Sequence, residues 1–136
     1  MSPRAPGVQV PPPCDLTLGM VCVKKDEPGV TVWTMTVEER FCNPVGMMQG
    51  GFVAAFADSA MGASSITAAR DRKIFSANAE MKISFLRPIA MGSVLTCTAT
   101  TISSGSRVNF VEADVVDQDG KLVARANSTY MIRDRT

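Results

Sequence analysis

Across residues 41–69 the chain carries one charged side chain, Asp58. From residue 51 to residue 69 the segment is rich in Ala, Phe, Val, Met, Gly and Ser and contains no proline. It reads as one long helix, ending where Arg70, Asp71, Arg72 and Lys73 restore charge. Val53, Phe56, Ala57, Ala60 and Ser64 share a face at helical spacing, and Ala54, Asp58, Met61, Gly62 and Ser65 form a smaller neighbouring face. A helix that is apolar nearly all round has to be covered on most sides. The rest of the chain must therefore wrap it. The acid within must be paired, left wet or put to use, because an unpaired buried carboxylate is strongly unfavourable or takes up a proton.

The wrapping elements read as strands. Alternation over residues 18–25 and 30–38, with a turn at 26–29, predicts a hairpin. Residues 41–49, with Asn43 before Pro44 and an isolated Gly46, predict a loop. Gly50 and Gly51 let the backbone adopt unusual angles or approach another chain or a ligand closely. After the helix, residues 74–86, 93–103, 107–117 and 121–132 all predict strands, separated by turns at 88–92, 104–106 and 119–120. The expectation is an α+β fold, one antiparallel sheet of about six strands around one central helix. Residues 14–136 are expected to form a single domain. Residues 1–13 hold five of the eight prolines and no hydrophobic run, so they read as an extended arm rather than a signal peptide or membrane anchor.

Composition removes several classes of function. A formal net charge of +1 and scattered basic residues give no footprint for nucleic acid. The long helix holds an acid and is only weakly hydrophobic, so it is not read as a membrane span. With no histidine, the chain has no Ser-His-Asp or Cys-His nucleophile, no histidine-ligated zinc and no histidine base. The four cysteines (Cys14, Cys22, Cys42 and Cys97) lack C-x-x-C spacing, so neither a metal site nor a separate cofactor is expected. They read as small buried hydrophobes of a reducing compartment, and the cytoplasm is the expected location.

The spacing Asn43-Pro-x-Gly-x-x-Gln-Gly-Gly-x6-Asp58 is followed by Ile83-Ser-Phe85-Leu-Arg-Pro88, Gly92, Gly105-Ser-Arg107 and Asp119-Gly-Lys-Leu-Val-Ala124. This series resembles the hotdog-fold acyl-CoA thioesterases, in the branch named for the phenylacetate-pathway thioesterase, over nearly the whole folded part. The resemblance implies that Asp58 is the catalytic acid and that the N–H of Gly50 binds the thioester oxygen. It places Asn43 beside the attacking water and Asn78 where relatives often hold that water with Ser or Thr. It also implies a homodimer whose sites join the acid and the glycine of different subunits, with pairing of dimers into a homotetramer common. Where relatives commonly carry His before the paired glycines, this chain has Gln49, which can orient loop or substrate but cannot exchange a proton near neutral pH.

Elementary chemistry is consistent with those roles. A helix start presents unpaired N–H groups and a positive dipole end, suited to the oxyanion formed when a thioester is attacked. Asp58 can activate water or attack the carbonyl itself. Its bland reading is a structural acid paired with Arg or capping a loop, and Asn43 taken alone reads as an Asx turn. Gly51, Met48, Met61 and Ala77 are candidate substrate contacts, with Met47 and Met81 as further pocket candidates, although methionine is usually core filler. Ser104, Gly105, Ser106 and Arg107 are the candidate site for the phosphates of coenzyme A, preferred over Arg70, Arg72 and Lys73. The expected activity is hydrolysis of an aryl or short- to medium-chain acyl-CoA to free acid and coenzyme A. The alternative is an acyl-CoA binding or sensing protein without catalysis. A hotdog dehydratase is disfavoured by the missing histidine.

Overall fold

The computed structural model describes residues 10–135, so most of the arm expected over residues 1–13 lies outside the described residues. A short helix α1 (Pro13–Leu18) leads into strands β1 (Val21–Glu27) and β2 (Val30–Thr36). A single 3-10 turn (Glu39–Phe41) and a loop precede the long helix α2 (Gly50–Ala68). Then come β3 (Ile74–Phe85), β4 (Val94–Ser104), β5 (Val108–Val116) and β6 (Leu122–Asp134). The strands form one antiparallel sheet in the order β1-β2-β4-β5-β6-β3, with β1 and β3 at its edges. Helix α2 touches all six strands. This is the α+β hotdog arrangement expected above.

The period-2 alternation of the strands explains the core. Leu95, Cys97 and Ala99 of β4, Val111, Ala113 and Val115 of β5, and Ala124 and Ala126 of β6 all turn inward and are buried. Their small side chains let α2 lie close, and its expected face of Val53, Phe56, Ala57, Ala60 and Ser64 is buried against them. Polar contacts fix the helix along its length. Thr31 Oγ1 donates to the carbonyl of Ala60 (2.9 Å), and Ser64 Oγ donates to that of Gly29 (2.8 Å). Buried Asn109 donates through Nδ2 to Ser65 Oγ (2.8 Å) and to the Ser65 carbonyl (3.2 Å).

Three local features depart from expectation. Helix α1 stands where no helix is expected, and Leu18 ends it instead of beginning a strand. Six residues are too few to show a helical period, but Pro13 in its first turn and Gly19 at its end (φ 67°) are the usual bounding residues. Among the cysteines, all free, only Cys97 is buried, whereas Cys14 is exposed on α1. The third departure is in β3. Asn78 pairs with Tyr130 and Glu80 with Thr129, so Ala79 is an extra residue that interrupts the ladder. Ile74, Ser76 and Asn78 face the helix before this bulge, and Met81 and Ile83 face it afterwards.

Candidate active site

Asp58 sits mid-way along α2 and is half-buried. The Tyr130 hydroxyl donates to its Oδ1 (2.6 Å) and also reaches its main-chain oxygen (2.9 Å). Asn78 Nδ2 donates to the same Oδ1 (2.9 Å), with Ser128 Oγ at 3.2 Å and the Tyr130 oxygen at 3.4 Å. No described residue donates to Oδ2 of Asp58. The ion pairs among the described residues are Arg40–Glu38, Arg72–Asp134 and Arg125–Asp114, and Asp58 belongs to none of them. The acid is thus held by neutral donors on one oxygen, which removes the reading of a structural acid paired with Arg.

Its two donors are themselves fixed. Burial above all, then the hydrogen bond to Asp58 and its charge, push the Tyr130 phenol well above its ordinary value, so it stays protonated and a donor. The Nδ2 contacts orient the Asn78 amide, and its Oδ1 is buried without a hydrogen-bond partner. An acceptor of that kind beside a carboxylate suits a bound water.

The start of α2 offers the complementary group. Gln49 occupies the N-cap position with extended backbone and no side-chain cap, so nothing from that side chain satisfies the first N–H groups. Phe52 and Val53 already donate back to the Gln49 carbonyl, whereas the N–H groups of Gly50 and Gly51 have no acceptor among the described residues. Gly50 borders a cleft of about 440 Å³ with Asn43, Met47, Met48, Val53, Phe85, Leu86, Arg87, Pro88 and Ile89. Neither paired glycine takes a positive φ. Their value lies in close approach: a β-carbon on Gly50 would lie 2.9 Å from Cζ of Phe85, and one on Gly51 would meet open space.

Within one chain these two groups do not meet. Gly50 and Asp58 lie eight residues apart on one helix, about 12 Å along its axis at about 1.5 Å per residue. A thioester carbonyl touches both only if they come from different copies.

The other candidate residues are dispersed. Asn43 Oδ1 accepts from the N–H groups of Val45 and Met47 (both 3.1 Å), the Asx turn foreseen as its bland role, while its Nδ2 has no partner among the described residues. Gln49 is exposed and Met48 lines the cleft. Met61 is 0% exposed in the core, and Met81 is partly buried against the same core. Within this chain both pack into the core. Ala77 points away from Asn78, to the outer face of the sheet, as neighbours along a strand must. In the turn expected to meet the phosphates, one N–H group is already taken. Gly105 N–H bonds the Val108 carbonyl (3.0 Å) and Asn109 Oδ1 (3.2 Å), and the Ser106 carbonyl accepts from Arg72 (3.0 Å). Arg107 and Ser106 do border a shallow cleft of about 310 Å³ with Arg72 and Arg133. No three His, Cys, Asp or Glu side chains gather into a metal site among the described residues, and none of its helices is long and apolar enough to cross a membrane.

Sequence reasoning missed Tyr130, Ser128 and the ring of Phe85 over Gly50. Tyr130 is the only tyrosine of the chain, but its reach to Asp58 depends on pairing across β3 and β6.

Residues 45–124, spanning the helix start, Asp58 and Asn78, match the thioesterase superfamily. The chain belongs to that superfamily. Among the relatives of this thioesterase, the acyl-coenzyme A thioesterase PaaI of Escherichia coli is 31% identical over 111 residues, covering 82% of this chain and 76% of the relative. Human acyl-coenzyme A thioesterase 13 is 26% identical over 113 residues, covering 82% and 79%. The solved structure of the E. coli PaaI protein superposes with a TM-score of 0.83 at 26% identity, over 90% of this chain and 86% of that one. A phenylacetic acid degradation-related protein of Ralstonia eutropha superposes at 0.80 with 33% identity, over 88% and 89%.

Proposed function

We propose that this thioesterase hydrolyses acyl-CoA thioesters to a free acid and coenzyme A, working as a homodimer in which Gly50 of one copy meets Asp58 of the other. The observation that carries this reading is the state of Asp58: a half-buried carboxylate with neutral donors on Oδ1 and none on Oδ2. That is a base held ready rather than neutralised.

The carbonyl oxygen of the thioester takes a hydrogen bond from the Gly50 N–H, strengthened by the helix dipole as negative charge develops. A water donates one proton towards Asp58 Oδ2 and the other to Asn78 Oδ1, leaving a lone pair for the carbonyl carbon. The unpartnered Asn78 acceptor favours this water-activating role over direct attack by the carboxylate. As the oxygen–carbon bond forms, Asp58 takes up the proton. Collapse of the tetrahedral intermediate breaks the carbon–sulfur bond and releases thiolate, which needs no acid in advance and takes its proton from Asp58 or solvent. Such a step requires no histidine.

The acyl group fits the cleft beside Gly50, whose Met47, Met48, Val53, Phe85, Leu86 and Ile89 suit an aryl or short- to medium-chain acyl group. Arg107, with Arg133 nearby, is suited to the phosphates of coenzyme A. Dimerisation is supported by β3, a long edge strand beside Asp58 with unpaired backbone groups on its outer side. The free thiols fit a reducing, cytoplasmic setting.

The test is a panel of aryl-, short- and medium-chain acyl-CoA esters, followed by thiol release. Turnover with at least one class is expected. Tight binding without turnover of any ester would replace hydrolysis with sensing.

A further inference from the structure

Asn78, Tyr130 and Asn109 face one another across β3, β6 and β5, and all three turn towards α2. The row forms two polar clamps on the helix, seven residues apart: Tyr130 and Asn78 on Asp58, and Asn109 on Ser65. The Ser65 clamp is structural, buried and backed by Ser76 Oγ at 2.8 Å. The Asp58 clamp is different, because it ends on the one carboxylate of the helix.

We propose that Tyr130 is a positioning residue for hydrolysis, holding Asp58 by Oδ1 and by its main-chain oxygen so that Oδ2 alone faces the attacking water. This rests on the assignment of Asp58 made above. The phenol is tethered at two points of the same residue, 2.6 and 2.9 Å away, so the rotation of the carboxylate is restrained. Gly62, one turn along on the same face, lies beside the ring: a β-carbon there would sit in ordinary contact, 3.7 Å from Tyr130 Cε1 and 4.0 Å from the hydroxyl. The polar groups gathered at this point are neutral apart from Asp58. Asn78 comes from β3, Ser128 from β6, and Cys97 of β4 is the other titratable group acting on the phenol. Cys97 is a buried thiol pushed up to about 12, hence uncharged at neutral pH. Tyr130 therefore acts on Asp58 beside the Asn78 amide and without a charged competitor among these groups.

The test uses the fact that Tyr130 is the only tyrosine. Uniform 3-fluorotyrosine labelling of the whole chain places one fluorine reporter beside Asp58. Its fluorine-19 shift at neutral pH is expected to move in Asp58→Asn, which removes the charge that the phenol donates to. Tyr130→Phe, which removes only the hydroxyl, is expected to lower kcat by about 10–10² with KM little changed, the scale of a misplaced catalytic group. A merely structural tyrosine would lower the melting temperature and leave kcat per folded molecule unchanged. That result, or a fluorine shift indifferent to Asp58→Asn, overturns the proposal. If the wild-type protein turns over no ester, hydrolysis itself fails. The carbon-13 shift of the Asp58 carboxyl at neutral pH in wild type and Tyr130→Phe then decides the tether separately, an unchanged shift overturning it.

Discussion

The ring of Phe85 occupies the space that a side chain on Gly50 would need, its Cζ 2.9 Å from where a β-carbon would lie. Phe85 is 54% exposed, so it can swing aside at little cost in stability. Gly50→Ala is therefore expected to fold normally, aided slightly by the better helix propensity of alanine. Displacing the ring and the first turn of α2 should cost on the order of 10² in kcat/KM. Kinetics with parallel thermal melts check this, and a fully active variant would show that the Gly50 N–H does not need its present placement.

Asp58→Asn separates base from scaffold. The amide still accepts from Tyr130 and Asn78 through its oxygen, and no cation loses a partner. Stability should hold or rise, while turnover falls by roughly 10²–10⁴. Near-normal single-turnover rates in a well-folded variant would favour the binding protein over the enzyme.

A site shared between copies can be restored by mixing. Co-expressed Gly50→Ala and Asp58→Asn chains give mixed dimers with one intact site, and random pairing predicts about a quarter of wild-type activity. Each variant alone should stay low. Sedimentation should show a dimer or larger assembly at micromolar concentration, and a monodisperse monomer would contradict the shared site.

Alkali should destabilise the fold through Cys97. Burial first, then the charge of Asp114, raises its thiol from about 9 to about 12 in the folded chain. Stability contributed by the neutral thiol is present below pH 9 and lost as pH rises from about 9 through about 12. Tyr130, also raised, adds its own loss at higher pH still. Denaturant melts from pH 8 to 10.5 should decline less steeply for Cys97→Ala, by up to about 1.4 kcal/mol per pH unit. Equal slopes would mean the thiol does not titrate on unfolding.

The long helix and the six strands were legible because each repeats its period for many residues. Val53, Phe56, Ala57, Ala60 and Ser64 announced a buried face, and they are buried. Asp58 was legible as an anomaly of charge. What escaped depends on pairing between distant segments. Tyr130 is seventy-two residues from Asp58, and nothing local says that it points there. The occupied N–H of Gly105 escaped because its acceptors, the Val108 carbonyl and the Asn109 side chain, follow only after the turn has closed. Helix α1 was too short for its period to show.

Ala79 gives β3 one residue more than the partner strand needs. Paired residue for residue instead of bulged, the same sequence would turn one half of the strand inside out. If the second half kept its register, Ala79 would pair with Tyr130 beneath Asp58 and Asn78 would turn away from the helix. Selection for an unbroken ladder alone would discard this residue. It sets the phase between the two halves of the strand, so that Asn78 on one side and Met81 on the other both turn to the helix.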